Sequence, residues 1–509
     1  MHATLERLNS LRAYAGDRET HGLADETIER FLAHDAQLAE AIERACDAHS
    51  ALRAEWGGYL GGSEHDLVRF VQQDYVNFYP PPNINPYVAL AGSGPWVVTT
   101  HGAVLHDNGG YGMLGLGHAP EAILDVLGAP SVMANVMTPN ISQKRFGERL
   151  RAEIGQTRGG CPFAKFICMN SGSEAVTVAA RISDINTLKR IGPGGPNEGQ
   201  TPKFLSLVGS FHGRTDRPAH ASDSTREKYR ANLASHHFAD DLITVPPNDV
   251  EALRAAFEKA ERDDVFIEMM FIEPVMGEGN PGQAVSRAFY DAARKLTRAH
   301  GSLLLVDSIQ AGFRGTGYLS IVDYPGFEDA EPPDLETYSK ALNAGQFPLS
   351  VLACTERSAD LYVHGVYGNT MTTNPRALEV ACAVLDGMTP ALRENILARG
   401  EELKAGLRAL QAELPGVITQ VQGTGLLVSA ALDPDQVQVV GFGALESWLR
   451  RNGLGVIHGG KNALRFTPHF AVTSAEVALI LELVRDGLSA FVGLSVDATE
   501  AAELEQIVN

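Results

Sequence analysis

Two polar residues, each placed just after a short predicted strand, set the chemistry open to this chain. Asp307 follows Ser302-Leu303-Leu304-Leu305-Val306, and Lys340 follows Asp334-Leu335-Glu336-Thr337-Tyr338-Ser339. The first is a continuous apolar run of the kind that makes a strand buried on both faces, and the second reads as another short strand. Residues leaving such strands at their carboxyl ends lie where open α/β sheets bind ligands. A buried amine loses charge through desolvation, and a neutral lysine attacks carbonyls to form Schiff bases. An Asp facing a pyridine nitrogen and a Lys facing an aldehyde make the pair that pyridoxal phosphate requires. Taken singly, Asp307 reads as a helix cap or turn residue and Lys340 as a surface charge. The elements around them reverse that reading.

Several predicted elements would bring further groups to the same edge. A strand over Phe163–Met169 runs into Asn170-Ser171-Gly172-Ser173 and then a helix from Glu174, with Ala175, Val178, Ala179 and Ile182 on its buried side. A strand, a Ser-Gly-Ser loop and a helix N-terminus form a phosphate cradle of free N–H groups and hydroxyls at the positive end of the helix dipole. The same residues also read as a capping box, Ser171 with Glu174, and the two roles are compatible. A strand over Lys203–Gly209 closes on Ser210-Phe211-His212-Gly213-Arg214, whose aromatic group could stack on a flat ligand or simply fill core. Val265–Ile272 is another apolar strand and ends in Glu273-Pro274-Val275-Met276-Gly277-Glu278-Gly279. Alternating strands and helices across 160–355 predict a doubly wound, mostly parallel α/β sheet. Beyond 390 a long helix (Pro390–Leu414) and short strands, among them Leu464-Arg465-Phe466, suit a smaller α+β unit.

The rest of the chain bounds the answer. At 509 residues it is too long for one core. A formal charge of −20 argues against nucleic acid as a partner. Five cysteines without CxxC spacing indicate neither disulfides nor a metal site. No apolar run is long enough to span a membrane, and the first residues lack a signal-peptide core, so the cytoplasm is the expected compartment. Residues 1–70 read as a helical extension, with one helix over Thr27–Arg44. Phe78-Tyr79-Pro80-Pro81-Pro82 is stiff and extended, and Trp96–Thr100 with Val104–Asp107 reads as a hairpin. The glycine-rich run Asn108–His118 either brings backbone close to a ligand or a neighbouring subunit, or is tight loop packing.

With these motifs in this order, the chain from about 90 to 490 resembles the class III (ω-type) pyridoxal-phosphate aminotransferases of fold type I. The resemblance implies a large domain with a mostly parallel seven-stranded sheet and a smaller α+β domain. The expected limits are 1–70 for the extension, 71–155 for the N-terminal part of the small domain and linker, 156–388 for the cofactor domain and 389–509 for the C-terminal small domain. It implies pyridoxal 5'-phosphate held by Ser171, Gly172, Ser173, Phe211, His212, Glu273, Gln310 and Thr370. Asp307 would pair with the ring nitrogen and Lys340 would form the Schiff base. Arg465 would bind the substrate carboxylate, with Glu278 pairing with an arginine in its absence and Tyr79 on the substrate side. Thr370 would reach the phosphate in the neighbouring subunit of a homodimer whose active site is shared across the interface. The reaction implied moves an amino group from an amine or ω-amino acid to a 2-oxo acid, in two half-reactions. A racemase or epimerase, an aminomutase or a lyase would share the scaffold. Ser308 replaces the family's usual Glu, Met276 its usual Gln, and Met371-Thr372-Thr373 its common Phe-Gly-Gly, while 320–333 is extra. These changes surround the substrate pocket and leave the donor open. No GxGxxG turn suggests a nicotinamide enzyme.

Overall fold

Burial of apolar runs from distant parts of the chain builds three sheets, seen in a computed structural model that describes residues 3–109, 112–133 and 136–492. The N-terminal helices Ala3–Tyr14, Asp25–Leu32, Ala36–Leu60 and Glu64–Gln72 come first. The single helix predicted over Thr27–Arg44 is broken at Ala33–Asp35. There Asp35 accepts hydrogen bonds from the N–H groups of Gln37 and Leu38 and so starts the next helix. The other oxygen of Asp35 accepts the indole N–H of Trp96 at 2.7 Å, which ties the extension to the following sheet. That sheet contains β1 (Ala89–Ser93), β2 (Trp96–Thr99) and β3 (Val104–Asp107), the last two being the predicted hairpin. Leu5, Leu8, Ile28, Phe31, Leu38 and Ile42 pack against Trp96, Val98 and Val104 in one apolar cluster.

The central sheet holds β4 (Lys165–Met169), β5 (Thr201–Leu207), β6 (Leu242–Val245), β7 (Val265–Ile272), β8 (Leu303–Asp307), β9 (Leu335–Tyr338) and β10 (Ser350–Cys354). Its order is β4-β10-β9-β8-β7-β5-β6. Only β10 runs antiparallel to its neighbours. Every residue of β7, β8, β9 and β10 is buried, Glu268 and Glu336 among them. The parallel strands all point their carboxyl ends the same way. The residues that follow β5, β7, β8 and β9 therefore meet at one edge.

The C-terminal sheet comprises β11 (Ile418–Thr424), β12 (Leu427–Leu432), β14 (Ile457–Gly459) and β15 (Ala463–Phe466), all antiparallel. Between β12 and β14, the short β13 (Leu454–Gly455) pairs in parallel with β3 and joins the first sheet to this region. The additional segment 320–333 is no surface appendage. Its Ile321, Val322, Tyr324, Phe327 and Ala330 are buried in the main core. Asp323 accepts the N–H groups of Gly155 (2.6 Å) and Thr157 (2.9 Å) beyond the helix Ile141–Glu153. Pro120 stands immediately before the helix Glu121–Gly128. Of the predicted glycine-rich run, Gly110 and Tyr111 lie outside the described residues.

Candidate active site

At the carboxyl edge of the central sheet lies a cavity of about 380 Å³. Asp307 and Lys340, delivered by β8 and β9, both line it, as do Ser171, Gly172, Ser173, Phe211, His212, Glu273 and Gln310. Residues that follow five different strands thus share one space.

One end of the cavity is the start of the helix Gly172–Ile191. Ser171 caps it by accepting the N–H of Glu174 at 3.3 Å, and Glu174 accepts the N–H of Ser171 at 3.0 Å. The expected capping box is present, and the N-terminus of a 20-residue helix still opens on the cavity. Gly213 has φ +127, and a Cβ there would stand 2.4 Å from Ser173 Oγ. Glycine at this position lets the turn after β5 lie against the cradle.

Glu273 joins two turns: its carboxylate accepts the N–H of Phe211 and of Gly277, each at 3.0 Å. Burial pushes this carboxyl up to about 7. Asp307 is held by three donors: His212 Nδ1 at 2.9 Å, Thr337 Oγ1 at 3.0 Å and the N–H of Ile309 at 3.2 Å. Lys340 has φ +46, an uncommon conformation for a residue with a Cβ and one that recurs at functional sites. Burial, and then the charge of Arg465, lower its amine to about 8 against the pull of Glu278, Asp307 and Glu273.

Arg465, fully buried on β15, donates to Gly277 O and to Gln310 Oε1 (3.3 Å). Gln310 Nε2 has no hydrogen-bond partner among the described residues. Gly277 carries no Cβ because one would stand 2.3 Å from Gln310 Oε1. Glu278 pairs with Arg214 at 3.3 Å. Arg214 lies over two rings, 5.1 Å from the centre of Phe211 and 5.4 Å from that of Phe78. Tyr79 lines an adjoining cavity rather than this one, and Thr370 is exposed and outside it.

Sequence reasoning assigned no role to Arg214 or Ile309, although both belong here. Ile309 lines the cavity. It lies in the turn just after β8, where its N–H donates to Asp307 Oδ1 at 3.2 Å. Arg214 directly follows Phe211-His212-Gly213, a cation beside an expected stacking ring.

Comparison with known proteins decides the family: residues 80–488 match the family described as Aminotransferase class-III. The chain belongs to the class-III aminotransferases. An acetylornithine aminotransferase of Neisseria meningitidis serogroup B is 29% identical over 430 residues, 82% of this chain and 98% of that protein. One from Xanthomonas campestris is 31% identical over 330 residues, 64% and 74% of the two chains. Among solved structures, an ornithine aminotransferase of Toxoplasma gondii superposes with TM-score 0.72 at 22% identity, covering 86% of this chain and 98% of that one. As a class-III aminotransferase of fold type I, the protein uses pyridoxal 5'-phosphate to move amino groups between an amino compound and a 2-oxo acid.

Proposed function

We propose that this aminotransferase takes the terminal amino group of an ω-amino acid, and that the residues around the 380 Å³ cavity hold its cofactor. The observation that carries the assignment is the opening of Asp307 and Lys340 onto one cavity from separate strands. The donor set fits the cofactor: a helix N-terminus and two serines for a phosphate, a buried carboxylate for a ring nitrogen and the spare amide N–H of Gln310 for a ring oxygen. The cofactor supplies an aldehyde that links to amines and a ring that draws electrons from the neighbouring carbon. Asp307, fixed by His212 and Thr337, keeps the ring nitrogen protonated. Lys340 Nζ, its amine lowered by burial, takes the proton from the substrate carbon that bears the amine. Arg465 binds the acceptor's carboxylate through charge-assisted hydrogen bonds, and Glu278 keeps Arg214 neutralised between substrates.

The donor class rests on the ornithine and acetylornithine aminotransferases that the chain resembles. The same reading keeps the limits 1–70, 71–155, 156–388 and 389–509, with β13–β3 pairing as support for one small domain built from both ends. It makes the working unit a homodimer. Thr370 would serve the phosphate in the other subunit, and exposed Val136, Met137 and Met371 beside it would be covered there. Cytoplasmic residence is in keeping with five free cysteines. No described helix is long and apolar enough to cross a membrane.

The test is a half-reaction. The enzyme is mixed with an ω-amino acid alone, and the cofactor is released and analysed by mass spectrometry. Stoichiometric conversion to the aminated cofactor is expected. A cofactor left as the aldehyde while the donor is racemised or cleaved would refute the reading.

A further inference from the structure

Away from the 380 Å³ cavity, three side chains of metal-ligating type meet in the core from distant parts of the chain. His106 stands on β3, His469 follows β15, and Glu476 lies in the first turn of the helix Ser474–Phe491. His106 Nε2 is 3.1 Å and His469 Nε2 is 2.9 Å from the same carboxylate oxygen, Glu476 Oε1. The three ligand atoms all lie within 4.8 Å of one another, and all three residues are buried.

Each group is already oriented. Glu476 Oε2 accepts the N–H of Thr473 at 2.7 Å, which leaves Oε1 directed at the two imidazoles. Burial by itself would raise this carboxyl, but hydrogen bonds from His106 and His469 outweigh it. They hold the group well below the ordinary carboxylate range, in the anionic form that a ligand needs. His106 has a second partner in Asn108, whose Nδ2 lies 3.0 Å from Nδ1. The Oδ1 of that amide is buried and has no partner among the described residues. A half-turn of the amide exchanges its two ends. Oδ1 then accepts the Nδ1 proton, and the lone pair of Nε2 faces Glu476. Metal-ligating imidazoles are typically oriented in this way, by an acceptor on the other ring nitrogen. Trp96 meets the His106 ring edge-on at 5.1 Å and walls off one side of the cluster.

We propose that His106, His469 and Glu476 form a structural site for a divalent transition-metal ion, with Zn²⁺ the best match. Two imidazole nitrogens and one carboxylate oxygen are a zinc donor set, with water as the fourth ligand. Tetrahedral bonds of about 2.0–2.1 Å put neighbouring donors about 3.3 Å apart. Glu476 Oε1 reaches that spacing by receding a few tenths of an ångström from each nitrogen. The ion takes no part in the amino transfer. It rivets β3 to the C-terminal helix at the point where Thr467 N–H already donates to Asn108 O (2.8 Å), and so braces the end of the strand that carries Arg465. His106 and Glu476 are 370 residues apart, so no spacing along the chain announces the site. The cysteines pointed to no metal, and this site uses none.

The test uses the cofactor-loaded enzyme, freed of metal by dialysis against a chelator and titrated with Zn²⁺ in competition with a chromogenic zinc indicator. One ion per chain should bind with a Kd below about 1 µM and raise Tm. His469→Gln keeps an N–H donor for Glu476 but deletes the ligand nitrogen. It should weaken binding at least about 100-fold and abolish the rise in Tm. No stoichiometric binding to the natural enzyme, or binding that His469→Gln leaves intact, overturns the site and makes the cluster a hydrogen-bonded hub alone. If His469→Gln does not fold, Co²⁺ bound to the natural enzyme decides. The visible bands of a four-coordinate nitrogen and oxygen site support the assignment, and a weak six-coordinate spectrum or none overturns it.

Discussion

His212 Nδ1 lies 2.9 Å from Asp307 Oδ2, and both side chains are buried. The two are 95 residues apart in the chain and come together because β5 and β8 both end at the same edge of the central sheet. With Thr337 and the N–H of Ile309 on its other oxygen, Asp307 cannot rotate without breaking several hydrogen bonds. Its negative charge is thus aimed before any ligand arrives, which is how preorganised electrostatics lower a barrier.

Asp307→Asn keeps the shape and removes the charge. The half-reaction with donor should slow by at least about 10²-fold, equivalent to about 3 kcal/mol of barrier. Rapid-mixing absorbance of the cofactor measures it. A rate within fivefold of the natural enzyme would remove Asp307 from the assigned role.

Lys340→Ala should bind the cofactor without the yellow colour of a lysine-linked aldehyde and should not turn over. The natural protein offers a finer test. With its amine lowered to about 8, Lys340 gains its nucleophilic neutral form as pH rises toward that value. Capture of added cofactor by the cofactor-free enzyme should therefore accelerate about tenfold per pH unit below 8 and level off above it. A stopped-flow profile still rising at pH 10 would show an unshifted lysine.

Arg465→Lys should raise the KM for the 2-oxo acid by roughly 10²-fold and change kcat far less. An ammonium cannot replace the planar fork that reaches Gln310 and Gly277. Steady-state kinetics with the acceptor varied decide it, and an unaltered KM would assign the carboxylate to another residue.

Glu336 sits on β9, fully buried, accepting from Ser308 Oγ (2.6 Å), Ser320 Oγ (2.6 Å) and the N–H of Ile321 (2.9 Å). Burial raises its carboxyl to about 7 from an ordinary 4.5. The folded state therefore holds a proton that the unfolded chain releases. Its contribution is complete below pH 4.5 and is lost as pH rises to about 7, roughly 3 kcal/mol across that window. Glu336→Gln, which cannot ionise, should gain on the natural protein by that amount between pH 5 and pH 8. Urea unfolding at the two pH values checks the sign, and parallel losses in both proteins would mean that Glu336 stays charged.

The sequence by itself determined the elements and the chemistry they could carry. Val265–Ile272 is a strand with the predicted limits, and Ser171 with Glu174 starts the helix after β4 as its spacing requires. Apolar runs, caps and turn residues act over a few positions, so they can be read in order along the chain. Only the tertiary structure decided what meets across distance. Asp35 stops one helix, starts the next and holds Trp96; Arg214 finds Glu278; Glu336 gathers Ser308 with the additional segment at Ser320. Those partners lie far apart in the chain, and which polar groups must share a burial site depends on how the sheets pack.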